Sequence, residues 1–197
     1  LSFIFAFIVK IRNLLYDNGL LKIAKINIPV ISIGNITAGG TGKTPITIFL
    51  AEEAKKRGFN PGIVSRGYGR ESKSNCIIHD GIRLLETVDK SGDEPYLMGR
   101  LLKDVPIIVS KNRFVGAKSL LEKFDIDLII LDDAFQHRKI YRDLDILLIN
   151  ASEPLHSYKM LPTGQLRESL NGIKRADFLL ITKGSISSVP VKVKNLL

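Results

Sequence analysis

Gly34-Asn-Ile-Thr-Ala-Gly-Gly-Thr-Gly-Lys-Thr44 is the stretch on which the rest of the chain turns. The apolar, β-branched run Val30 to Ile33 precedes it and reads as a buried strand. From Pro45 onward, Ile46, Phe49, Leu50 and Ala54 fall at helical spacing. A glycine-rich turn from strand into helix is the context that a phosphate-binding loop requires. Gly39, Gly40 and Gly42 let backbone N–H groups turn inward, and the helix N-terminus adds partial positive charge at the same point. Lys43 is expected to reach the β- and γ-phosphates and Thr44 to ligate magnesium, so ATP and Mg2+ are the expected ligands of Thr37, Gly39, Gly40, Thr41, Gly42, Lys43 and Thr44. The pattern GxxxxGK(S/T) departs at one place, where Thr37 stands for its first glycine.

Outward from the loop, the same alternation recurs. Gly62 to Val64, Cys76 to Ile78, Pro106 to Val109, Leu128 to Leu131, Ile146 to Ile149 and Phe178 to Ile181 are short apolar runs, most of them fit for burial on both faces. Between them lie helical patterns. Pro45 to Arg57 ends on Lys55, Lys56, Arg57 and then Gly58, as suits a helix C-terminus. A second helix is predicted from about Pro95, with Leu97, Met98, Leu101 and Leu102 as its stripe. A third follows Ser110, with Phe114, Ala117, Leu121 and Phe124 inward. This predicts an α/β, P-loop NTPase-like fold, a mostly parallel sheet with helices on both faces. The expected organisation is an N-terminal amphipathic helical segment over 1–25, a core over 26–184, and the start of a C-terminal region over 185–197.

Asp127-Leu-Ile-Ile-Leu-Asp-Asp133 is an apolar strand ending in two carboxylates. A buried strand that delivers an aspartate to the phosphate loop is how such folds hold magnesium, which makes Asp132 the second expected metal residue. Alone, such an aspartate is as often a turn former.

Of the 197 residues, 45% are hydrophobic and 25% charged, the balance of a globular domain with one substantial core. Cys76 is the only cysteine, so no internal disulfide can form and a reducing compartment is expected. The net charge of +9 favours polyanionic partners. The first residue is Leu1 rather than methionine, so residues are expected to precede it. Lys10 and Arg12 interrupt the apolar opening run long before the roughly 20 residues of a bilayer span. With Phe3, Phe5, Phe7, Leu14, Leu15 and Tyr16 beside Lys10, Arg12 and Lys22, this segment fits a helix in a membrane interface and a first helix packed on the core equally well.

Other phosphate-loop classes fit less well. ATPases with a lysine just before the glycine pair are disfavoured by Ala38, and GTPases with an Asn-Lys-x-Asp base-reading motif by Thr182-Lys-Gly-Ser185, which lacks the acid. A nucleic-acid module is disfavoured by scattered aromatics and the lack of a helix-turn-helix pattern, so no nucleic-acid partner is expected. An ATPase or kinase of another small substrate remains the alternative.

Read together, Gly34 to Pro45, Ser65-Arg-Gly-Tyr-Gly-Arg70, Gly92-Asp-Glu-Pro95, Asp132-Asp-Ala-Phe-Gln-His-Arg138 and Leu161-Pro-Thr-Gly-Gln-Leu-Arg-Glu168 resemble the tetraacyldisaccharide 4'-kinase family, from the first helix to Lys183. The resemblance implies transfer of the γ-phosphate of ATP to the 4'-hydroxyl of a tetraacyldisaccharide 1-phosphate, a late step of lipid A synthesis. The implied partners are that acylated disaccharide phosphate lipid and the anionic inner-membrane surface, at the cytoplasmic face of the bacterial inner membrane. It also favours Asp93 as the catalytic base beside Lys43 and Asp132. Pro95 at a first helical position would set Asp93 and Glu94 at the helix entrance, a pattern that plain capping fits as well.

The resemblance further suggests that Arg66, Tyr68 and Arg70 contact the disaccharide, and that Glu94, Asp133, Gln136 and His137 contact substrate. Arg113 and Arg167 are the candidate phosphate-binding forks. Two departures stand out. Ala134 replaces the family's usual glycine, and neither His79 nor His156 matches the histidine that a second lobe supplies to the catalytic aspartate, so a fragment with impaired activity is expected.

Overall fold

In the computed structural model, which describes residues 1–70, 74–185, 189 and 191–194, all of the predicted strands form and join one seven-stranded sheet. They are β1 (Val30–Asn35), β2 (Pro61–Ser65), β3 (Cys76–Asp80), β4 (Pro106–Val109), β5 (Leu128–Leu131), β6 (Leu144–Asn150) and β7 (Phe178–Thr182). Their order is β3-β4-β2-β5-β1-β6-β7, parallel throughout except for β3, which runs antiparallel to β4 at one edge. The helices are α1 (Ser2–Asp17), α2 (Lys43–Lys56), α3 (Val88–Ser91), α4 (Asp93–Leu101), α5 (Arg113–Lys123) and α6 (Val191–Lys194).

Consecutive strand residues point to opposite faces, and both faces are apolar here. Ile63, Ile107 and Ile130 pack on one side with Ala51 and Ala54 of α2 and Met98 of α4. Val64, Ile108 and Ile129 pack on the other with Ala117 and Leu120 of α5. This two-sided burial explains why the strands read as continuous apolar runs rather than alternating ones. A third cluster lies over β6 and β7 and includes Val189 and Val193, so this part of the expected C-terminal region packs on the core. The remainder of 185–197 falls partly outside the described residues.

Two helix starts differ from the sequence expectation. α2 begins at Lys43 rather than Pro45, because Gly42, at φ +86°, caps it in a left-handed conformation that other residues adopt only at a cost. Pro45 then takes a first-turn position, where its missing N–H has no helical partner to lose. α4 begins at Asp93, so Pro95 is its third residue and Asp93 its first. The N-cap, Gly92, also has φ +86°, and a Cβ there would meet the Tyr68 carbonyl oxygen at 2.7 Å. That close approach seats the Ser65 to Arg70 loop against the start of α4.

The alternative left open for the first segment is now decided by face. Phe5, Val9, Arg12, Asn13 and Tyr16 turn toward the body, with Val9 and Tyr16 buried. Phe3, Ile4, Phe7, Ile8, Ile11 and Leu14 form an exposed apolar stripe, Phe3 being 91% exposed. Phe5, Arg12 and Tyr16 thus belong to the face packed on the core, while Phe3, Phe7 and Leu14 belong to the exposed one. Arg138 ties the helix down, donating to the Asn13 carbonyl, pairing with Asp17 at 2.8 Å and lying over the Tyr16 ring. No helix among the described residues is long and apolar enough to cross a membrane.

Candidate active site

The phosphate loop leaves β1 near the middle of the sheet, with β5 on one side and β6 on the other. Its opening half is held by main-chain bonds to the distant Leu161 to Glu168 segment. Ala38 N–H donates to the Gln165 carbonyl at 2.7 Å, and Arg167 N–H to the Ile36 carbonyl at 2.9 Å. This pairing carries Arg167 to the mouth of the loop. A cavity of about 890 Å³ opens there, lined by Ala38 to Pro45, Ser65, Arg66, Tyr68, Glu94, Asp132, Asp133, Gln136, Arg167 and Lys183. Its far wall is Phe5, Val9 and Arg12 of α1 together with Leu161.

Asp132, at the end of β5, is buried between two hydroxyls. Ser65 donates to its Oδ2 at 2.8 Å and Thr47 to its Oδ1 at 3.2 Å. Burial raises the pKa of its carboxyl above the usual value, against the opposing bond from Ser65. Asp133 follows in the left-handed region at φ +48°, a strained setting for a non-glycine residue. The positive φ falls on Asp133 rather than on Ala134, so the alanine that replaces the family's glycine sits in the core without needing that freedom. Asp133 Oδ1 lies 3.6 Å from Lys43 Nζ, and Arg167 Nη1 donates to both of its oxygens at 2.9 and 3.0 Å. Burial would raise the Asp133 pKa, but Lys43 and Arg167 outweigh it and hold the carboxyl below its usual value.

Several expected residues are placed differently. Arg113 is not a free phosphate fork, because it is buried and its guanidinium donates to the carbonyls of Ser110, Asp132 and Asp133. It is a brace under the aspartate turn. Burial pushes it down to about 10, so it keeps its charge at neutral pH. His137 lies behind the turn with Nε2 3.4 Å from the Arg113 N–H. Burial first, then the charges of Arg113, Lys139, Arg142 and Arg66, lower it to about 4. Thr37 is buried and turns its hydroxyl to Glu153 at 2.9 Å, away from the cavity. Arg70 and Asp93 are not among the lining residues. Asp93 is exposed at the first position of α4, one residue from Glu94, which does line the cavity.

Sequence reasoning missed Ser65 and Thr47, whose hydroxyls fix Asp132, and the α1 wall of the cavity. Only the apolar stripe of α1 gave any signal, and it pointed to the opposite face. Glu168 was also missed. It is fully buried and accepts from Asn13 Nδ2 (3.1 Å), Gln136 Nε2 (3.1 Å) and Arg175 Nη2 (2.8 Å), joining α1 to the aspartate loop.

A glycine-rich loop opening a helix near the middle of a mostly parallel sheet, with a lysine, a threonine and a strand-end aspartate on one cavity, defines the P-loop nucleotide-binding class of fold. The family model for tetraacyldisaccharide-1-P 4'-kinase matches residues 1–195. The chain belongs to the tetraacyldisaccharide 4'-kinase family. It is 44% identical over 185 residues to the tetraacyldisaccharide 4'-kinase of Chlorobium luteolum, covering 92% of this chain and 52% of that relative. With the Aquifex aeolicus counterpart it shares 44% identity over 181 residues, covering 92% and 56%. A crystal structure of LpxK from Aquifex aeolicus in complex with ATP superposes with a TM-score of 0.88 at 43% identity, covering 96% of this chain and 59% of that one. The chain thus spans about half the length of the curated relatives it matches.

Proposed function

We propose that this protein transfers the γ-phosphate of ATP to the 4'-hydroxyl of a tetraacyldisaccharide 1-phosphate, as its relatives are named for doing. One observation carries the reading: a single cavity runs from the phosphate loop and Asp132 to the inner face of an amphipathic helix. A polar end for triphosphate and an apolar wall of Phe5, Val9 and Leu161 suit a substrate with a phosphorylated sugar head and acyl chains.

In this reading the amides of Gly39 to Thr44 and the ammonium of Lys43 bind the β- and γ-phosphates. The donor set fits magnesium, since the Thr44 hydroxyl and the Asp132 carboxylate, both hard oxygen donors, face the same cavity. A magnesium ion held there would neutralise charge on the β- and γ-oxygens. Arg167, paired with Asp133 at the cavity, is the cation nearest the aspartates to meet the transferring phosphoryl group. Asp93, outside the cavity lining but next to Glu94, which lines it, is the base of this reading once the sugar head reaches the start of α4: it accepts the proton of the 4'-hydroxyl as that oxygen bonds to phosphorus, the bond to the β-phosphate oxygen breaks, and ADP leaves. Arg66, Tyr68, Glu94 and Gln136 orient the sugar head. The exposed stripe of α1 lies in the interface of an anionic membrane, at the cytoplasmic face where ATP is available.

The test is transfer of label from γ-labelled ATP with Mg2+ to the tetraacyldisaccharide 1-phosphate by the protein as encoded in the cell. The expected product is the 4'-phosphorylated lipid, with Lys43→Ala and Asp93→Asn each reducing the rate at least about 100-fold. A wild-type protein that binds ATP and lipid yet transfers nothing refutes the reading.

A further inference from the structure

Thr37 stands where the phosphate-loop pattern has its first glycine, and it is buried rather than turned to the cavity. Main-chain bonds hold its two neighbours, from Arg167 N–H to the Ile36 carbonyl and from Ala38 N–H to the Gln165 carbonyl. Thr37 itself is held by its side chain, whose hydroxyl donates to Glu153 Oε1 at 2.9 Å. Glu153 lies in the turn that follows β6, and that turn is fixed in its own right. Glu153 N–H donates to the Asn150 carbonyl at 3.2 Å, Ala151 N–H to the Thr182 carbonyl at 2.9 Å, and Ser152 Oγ to the Lys183 carbonyl at 2.6 Å. The second carboxylate oxygen, Oε2, is buried without a partner among the described residues, so Thr37 is the donor on which this carboxylate depends. Burial raises the Glu153 pKa, and the Thr37 hydroxyl opposes the rise ahead of Lys183 and Lys43.

A glycine at this position would leave the entrance of the loop free to sample many backbone conformations. A β-branched residue has few side-chain wells, and a hydroxyl bonded to a fixed carboxylate selects one of them. A loop already held in one shape loses less freedom when its ligand arrives, and so binds it more tightly. We infer that Glu153 is a positioning residue for the nucleotide, which it serves by fixing the entrance of the phosphate loop through the Thr37 hydroxyl. Neither Glu153 nor Thr37 lines the cavity, so the pair acts through the loop backbone and not by touching phosphate. The restraint therefore acts on a bare triphosphate as much as on a whole nucleotide. This inference rests on nucleotide binding at the loop as proposed above, and it names what holds that site ready.

Titration calorimetry with ATP and with inorganic tripolyphosphate, both with Mg2+, tests it on variants that break or keep the bond. Thr37→Val and Glu153→Ala break it, and each is expected to bind both ligands roughly fivefold more weakly than wild type. The double variant is expected to bind no more than about twofold more weakly than either single one, because both changes remove the same bond. Thr37→Ser and Glu153→Gln keep a donor and an acceptor, so each is expected to stay within about twofold of wild type. In the transfer assay, KM for ATP should rise in the broken variants by the factor seen in binding while kcat stays within about twofold. Wild-type affinity in Thr37→Val or Glu153→Ala overturns the inference. So does a double variant whose loss is the product of the two single losses, and so do conservative variants that lose as much as the broken ones. The binding measurements need no lipid, so a protein that binds ATP with the expected pattern yet phosphorylates no lipid fails the function proposed above and upholds this inference.

Discussion

Replacing Arg113 separates two roles that look alike in sequence, a phosphate ligand and a structural brace. In the structure its guanidinium holds the Ser110, Asp132 and Asp133 carbonyls at 3.3, 3.2 and 3.1 Å. Bonds of that length from a charged donor are worth roughly 1.5–2 kcal/mol each, about 5 kcal/mol together. Against this, burial lowers the group from 12.5 to about 10 even with the charges of Asp132 and Asp133 opposing it, a solvation cost of at least about 3 kcal/mol that an apolar replacement recovers. Arg113→Met is therefore expected to lower stability by no more than about 2 kcal/mol, read as a shift in the urea midpoint at unchanged slope. It should also weaken ATP·Mg binding, because the strained turn at Asp133 loses its support. Arg113→Lys should recover little, since one ammonium cannot face three carbonyls in a plane. Full stability combined with lost ATP affinity would refute the brace and restore the phosphate-ligand role.

Two further outcomes follow from buried groups around the site. His137, lowered from 6.5 to about 4, binds fewer protons folded than unfolded, so its contribution is complete above pH 6.5 and is lost as pH falls toward 4. After discounting for its partial exposure this amounts to about 1–2 kcal/mol, and urea titrations at pH 7 and 4.5 should show His137→Gln losing less stability over that interval than wild type. Glu168→Ala leaves the half-buried Arg175, Gln136 and Asn13 without their shared acceptor and is expected to cost about 2–3 kcal/mol in the same assay. Glu168→Leu combined with Arg175→Met should recover part of that loss, and a double variant no more stable than Glu168→Ala argues against the buried pair as its cause.

The sequence alone determined what depends on neighbours in the chain. Alternating apolar runs and helical stripes gave the α/β class, and strand, glycine turn, lysine and threonine in succession gave the phosphate loop, because backbone freedom and side-chain period are local properties. Asp132 was legible for the same reason, as the polar end of an apolar strand. Only the tertiary structure decided which side chains meet across the sheet. Thr182 and Thr41 stand 141 residues apart, and Arg167 and Asp133 stand 34 apart. Their contacts exist because β7 and the Leu161 to Glu168 segment pack beside the loop, which no periodicity records. Burial likewise turned Arg113 from a ligand into a brace, swung the Thr37 hydroxyl to Glu153, and chose the inward face of α1. Each outcome is set by the cost of leaving a polar group or apolar surface unmatched in one particular three-dimensional neighbourhood.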